Sequence, residues 1–165
     1  MTAIYPLLAI FLLWLGAYTD VTRRIIRNWV SLAILLLFVL YAVFSKNPIE
    51  PAAHVLWAAG LFALMLAGFA AGKVGGGDVK LATVTMLWAG PEAGPAFLII
   101  TALAGGVLAL ITVIPAMRMI QDWALAPFSR YMDPAAALSV KSVPYGVAIA
   151  AGGTVALYGR YLAGA

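Results

Sequence analysis

Apolar residues in this chain come in runs long enough to cross a lipid bilayer, and that property removes most of the folds open to 165 residues. A hydrocarbon core about 30 Å thick takes about 20 apolar residues per helix. The runs fall at about Thr2 to Thr19, Trp29 to Phe44, Ala52 to Ala71, Val79 to Ala89, Pro95 to Pro115 and Val143 to Leu162. They are unbroken rather than alternating, so they are read as helices. The expectation is an all-α integral membrane protein, a bundle of about six transmembrane helices forming a single domain over residues 1–165. Composition agrees: 10% of the residues are charged, against roughly 25% in an ordinary soluble domain.

The fourth run is too short to cross a bilayer unaided, and Gly72-Lys73-Val74-Gly75-Gly76-Gly77 stands just before it. A glycine loop feeding a short helix suits membrane depth only where protein shields it or a wet cavity receives it. The ten basic residues set the orientation. Arg23, Arg24, Arg27, Lys73, Lys80, Arg118, Arg130 and Lys141 fall in the first, third and fifth connections, and only Lys46 and Arg160 fall on the other side. The positive-inside rule then puts those three connections in the cytoplasm and both termini outside. The first run has no Lys or Arg before it, so it lacks the basic start of a secretory signal and is read as retained. The basic residues form no stripe with interleaved aromatics, which argues against nucleic acid as a partner.

The same placement sets Asp20, at the end of the first helix, and Asp78, at the start of the fourth, on one face. Each has a plain reading. Asp20 marks where a helix meets water, and Asp78 caps the next helix through its free N–H groups. Together, with Asp78 following three glycines, they suggest a site. Two nearby carboxylates that do not both ionise share one proton, and can activate water and protonate a leaving amine without a metal or a nucleophilic side chain. Gly75 and Gly77 would let an extended peptide approach. Glu50, Glu92, Asp122 and Asp133 read as solvated loop charges and His54 as an interfacial residue. The stretch from about Ala116 to Ser142, with Arg118, Asp122, Trp123, Arg130 and Asp133 among apolar residues, reads as an amphipathic piece in the interface or a substrate gate. The absence of cysteine and the lone histidine exclude a thiolate or histidine-rich metal site, and no cofactor is expected.

Three segments carry a resemblance. Asp20-Val21-Thr22-Arg23-Arg24-Ile25-Ile26-Arg27-Asn28 resembles the first-aspartate motif of type IV prepilin peptidases, with Arg27 where that family usually has proline. Gly75-Gly76-Gly77-Asp78-Val79-Lys80 resembles its GxGD motif, and Val143-Pro144-Tyr145-Gly146-Val147-Ala148 its last-helix signature. The resemblance implies an aspartic endopeptidase with Asp20 and Asp78 as the catalytic pair. It also implies removal of a short basic leader from a pilin-like precursor at the cytoplasmic face of the inner membrane. Gly75, Gly77, Lys80, Asn28, Pro144 and Tyr145 are the accompanying site-shaping or substrate-binding candidates. Lacking the N-terminal insertion and paired cysteines of larger members, the chain is similar to the short form found with tight-adherence pili, for which no zinc is expected. A small proton-coupled transporter, a non-catalytic pilus assembly factor and an archaeal preflagellin peptidase are the alternatives.

Overall fold

The computed structural model describes residues 3–45, 49–114, 123, 126–131 and 143–163. Among these the chain is all helical: α1 (Ile4–Arg23), α2 (Asn28–Phe44), α3 (Pro51–Ala70), α4 (Gly76–Val113), a short 3₁₀ turn (Ala126–Tyr131) and α5 (Tyr145–Tyr161). Three helices, α1, α3 and α4, are long and apolar enough to cross a membrane, and α2 is a shorter apolar helix. Large apolar side chains such as Phe11, Leu32, Leu64 and Leu103 point outward, a surface that suits hydrocarbon better than water. Of the expected interfacial stretch, Trp123 is exposed, whereas Arg118, Asp122, Asp133 and Lys141, like Lys46 elsewhere, lie outside the described residues.

Local chemistry sets the helix boundaries around the glycine loop. At the end of α3 the N–H of Lys73 reaches the Gly68 carbonyl and that of Gly72 reaches the Phe69 carbonyl, both at 2.9 Å. This double bond pattern is a Schellman motif, which needs a left-handed residue after the helix; Gly72 supplies it with φ 68°. Val74 then folds back on Gly68, and the chain enters α4 through Gly75, an extended N-cap.

The fourth and fifth apolar runs were expected as separate helices with a loop between them. They form instead the two limbs of α4, interrupted at Gly90 (φ 61°, ψ −163°). Neighbour pairs show that the limbs run in opposite directions. Gly94 packs on Met86, four residues to either side of the break. Along α5, Gly153 meets Thr85 and Tyr161 bonds Trp88 of the first limb, while Tyr145 meets Gly105 and Gly152 meets Phe97 of the second. Thus α5 runs parallel to one limb and antiparallel to the other, and Gly90 is the tip of a helical hairpin. Helix α1 is antiparallel to α5, with Leu13 against Gly153 and Asp20 bonded to Gly146.

The abrupt end of the first limb leaves its last carbonyls without helical partners, since Pro91 offers no N–H. Three side chains from other helices supply donors: His54 Nδ1 lies 2.6 Å from the Leu87 oxygen, Tyr161 Oη–H reaches Trp88 at 2.8 Å, and Arg160 Nη1 reaches Ala89 at 3.1 Å. Arg160 also pairs with Glu92 at 3.1 Å and contacts His54 Nε2. His54 itself is 1% exposed and plugs the hairpin tip, where a Cβ on Gly90 would run into its ring. Beside it Trp88, fully buried, sits among Phe38, Tyr41 and Tyr161. This aromatic plug closes the end of the bundle opposite Asp20 and Asp78.

Candidate active site

At the other end of the bundle, α1 finishes where α4 begins. Asp20 lies in the last turn of α1 and Asp78 in the first turn of α4. Because α1 and the first limb run antiparallel, with Gly16 against Leu81, the two aspartates share one end and their carboxylates interact electrostatically.

The two carboxylates are held by backbone donors from separate helix N-termini. A negative charge in the last turn of α1 opposes that helix's dipole. Asp20 is nevertheless 9% exposed, and Oδ2 accepts the Gly146 N–H at 2.9 Å. Gly146 is the second residue of α5, whose N-cap, Pro144, provides no side-chain cap. Asp20 therefore caps α5 from another helix, and the positive end of α5 compensates for the unfavourable end of α1. Asp78 is the third residue of α4, and its carboxylate accepts the N–H of Gly75, the N-cap. This is the return half of a capping box. Asp78 Oδ1 is buried and has no hydrogen-bond partner among the described residues, which leaves that oxygen available to a ligand.

The glycines follow from this closeness. A Cβ on Gly75 would lie 2.9 Å from Asp78 Oδ2, and one on Gly146 would lie 2.9 Å from Asp20 Oδ2 and 3.0 Å from its Cβ. A Cβ on Gly77 would lie 3.0 Å from the Cβ of Ile26, a buried residue that anchors the α1–α2 connection on the glycine loop. At that connection Arg24 takes a left-handed conformation, φ 54°, and its N–H bonds the Asp20 carbonyl at 2.9 Å.

Asp20, Asp78, Gly75 and Gly77 are thus gathered in one place, with Pro144 beside them as the α5 N-cap. Tyr145 turns away onto Gly105 of the second limb. Lys80 and Asn28 bond each other at 2.9 Å. They line a groove of about 520 Å³ with Trp29, Leu32, Phe62 and Thr83. Residues two apart on a helix point to opposite sides, which separates Lys80 from Asp78. Gly146 was quoted in a motif but not recognised as a site residue; its place two residues after a proline N-cap is the signal that marks it. Among the described residues no cluster of His, Cys, Asp and Glu is suited to a metal ion.

Two carboxylates that share one end of an apolar bundle and interact electrostatically, each steadied by a backbone N–H, are groups able to exchange a proton with a bound water and a leaving group. No curated protein and no solved structure matches the chain. Residues 7–110, more than half of the sequence and including both aspartates, match the type IV leader peptidase family. That match and the apolar helices make it a membrane peptidase, and the chain belongs to the type IV leader peptidase family.

Proposed function

We propose that this protein is an aspartic endopeptidase that removes the short basic leader from pilin-like precursors at the cytoplasmic face of the inner membrane, with Asp20 and Asp78 as its catalytic pair. The observation that carries this reading is the convergence of two carboxylates, 58 residues apart in sequence, each held by the N–H of a glycine where a side chain would intrude. One carboxylate takes a proton from water as the water oxygen adds to the scissile carbonyl carbon. The other gives its proton to the amine nitrogen as the C–N bond breaks. The free Asp78 Oδ1 suits the water.

The site end carries Arg23, Arg24, Arg27, Lys73 and Lys80, which supports its placement in the cytoplasm and both termini outside. In this reading the chain is one membrane domain of six spans, the α4 hairpin contributing two. The groove at Lys80 and Asn28 remains a candidate for contact with the precursor.

The reading is tested by co-expressing the protein with a pilin precursor in cells that lack their own leader peptidase and following the gel shift of the product. Wild type should yield the shortened pilin; Asp20→Asn and Asp78→Asn, at equal membrane abundance, should leave the precursor intact. Cleavage by both variants would remove the aspartic mechanism.

A further inference from the structure

The groove beside Lys80 forms where three helices meet. Helices α2 and α3 both pack on α4 but have few contacts with each other. The space left between them, about 520 Å³, is lined by α2, α3 and the first limb of α4. Helix α2 and that limb start together and run in the same direction. Lys80 Nζ bonds Asn28 Oδ1 at 2.9 Å near both starts, and Trp88 Nε1 bonds the Ile34 carbonyl at 3.0 Å further along. The lining residues are therefore ordered by depth. Asn28, Trp29 and Lys80 lie at the end of the bundle that holds the aspartates. Leu35 on α2 lies about 10 Å further in and Val84 on α4 about 6 Å, at a rise of about 1.5 Å per residue. Phe62 of α3 lines the same space.

This groove is polar at its mouth and apolar within. Lys80 is exposed, and its ammonium carries three donors, one of which Asn28 accepts. Lysine only donates, so the Asn28 amide turns its oxygen to Lys80 and adds its own N–H donors to the rim. Trp29, exposed at the same level, has the amphipathic ring favoured where a bilayer meets water. Deeper in, Leu32, Leu35 and Phe62 present bare hydrocarbon. Among the described residues no carboxylate lines the groove, and its formal charge is the positive one of Lys80. The complementary ligand has anionic acceptor oxygens at one end and hydrocarbon at the other, which is the build of a phospholipid.

We infer that the groove between α2 and α3 binds an anionic phospholipid, its phosphate on Lys80 and Asn28 and an acyl chain along Leu32, Leu35 and Phe62. Basic pockets between spanning helices on the cytoplasmic side recognise anionic headgroups in this way. The precursor fits the groove less well. Its proposed leader is basic, and like charge at Lys80 opposes it. Lys80 and Asp78, two apart on one helix, also point to opposite sides, so an occupant of the groove lies off the carboxylates. The site would hold lipid whether or not the aspartates cut a precursor; the proposed cytoplasmic placement decides only which leaflet supplies it.

Purified protein in detergent would be equilibrated with equal amounts of phosphatidylglycerol and phosphatidylcholine of the same acyl chains, and the lipid retained on the intact protein read by native mass spectrometry. Wild type should keep phosphatidylglycerol over phosphatidylcholine by about fivefold, the contribution of one lysine at an anionic headgroup. Lys80→Gln should bring the two lipids near parity and Lys80→Arg should keep the preference. Lys73→Gln, which changes an exposed lysine of the same end outside the groove, should keep it too. No preference in wild type, or the wild-type preference in a folded Lys80→Gln protein, would overturn the inference. A raised KM for the precursor in that variant would then give the groove to the precursor. An equal loss in Lys73→Gln would also overturn it, because surface charge alone would then select the lipid. Lipid retention is read without cleavage, so failure of the wild type to cut a precursor would remove the peptidase reading and leave the lipid site standing.

Discussion

Gly146→Ala should disable the site while leaving the bundle folded. The added methyl would lie 2.9 Å from Asp20 Oδ2, 3.0 Å from its Cβ and 3.2 Å from its Cγ, where ordinary contact begins at 3.4 Å. Relief requires the Asp20 side chain or the start of α5 to retreat by several tenths of an ångström. That displacement also strains or breaks the 2.9 Å bond from the Gly146 N–H, and a hydrogen bond to a charged group contributes about 1.5–3 kcal/mol. Misplacement of a catalytic group by about 1 Å can lower a rate 100-fold, so a shift of roughly half that should lower kcat about tenfold, and more if the bond is lost. Gly159→Ala is the matched control, since nothing lies within 4 Å of its Cβ and the change should favour helix α5 by about 0.5–1 kcal/mol. The assay is precursor cleavage by purified protein over a range of peptide concentrations, with a thermal melt of each variant. Wild-type kcat in a folded Gly146→Ala protein would refute the argument that Asp20 is set by the α5 N-terminus.

Two further outcomes test the rest of the architecture. Arg160→Met removes the donor to the Ala89 carbonyl at the hairpin tip. Its partner Glu92 is exposed, so losing that ion pair should matter little, whereas an orphaned buried carbonyl costs about 1–3 kcal/mol. Tm should fall by about 2–4 °C per kcal/mol; an unchanged Tm would show that Arg160 does not support the tip. Because the chain has no cysteine, Lys73→Cys and Glu50→Cys can each carry a single label. In intact cells an impermeant maleimide should modify the cysteine at position 50 and spare the one at 73, and the reverse pattern would invert the proposed orientation.

Much of this arrangement is readable in the sequence because hydropathy is a one-dimensional property. The apolar runs locate the helices, and the side of the basic residues places Asp20 and Asp78 together without reference to any contact. The glycine loop is equally legible, since Gly72 and Gly75 terminate and initiate helices by local rules. Gly90 is different. Followed by a proline, it reads as the start of a loop, and only the arrival of His54, Arg160 and Tyr161 at the exposed carbonyls lets the chain reverse so tightly. Those donors come from α3 and α5, beyond the reach of any local pattern. The resemblance counts Lys80, two residues after Asp78, among the site candidates. Because α4 already begins at Gly76, helical geometry instead turns it toward Asn28. Arg24 shares its charge with Arg23 and Arg27, and only the fold separates it from them: Arg24 is partly buried whereas the other two are exposed.

The central claim concerns the two carboxylates, and its most direct test is cleavage of a precursor by purified protein in liposomes, read by the mass of the released leader. The account predicts release by wild type and losses of about 100-fold or more in Asp20→Asn and in Asp78→Asn, with both variants matching wild type in Tm to within a few degrees. Leader release near the wild-type rate by either folded variant would contradict the two-carboxylate mechanism.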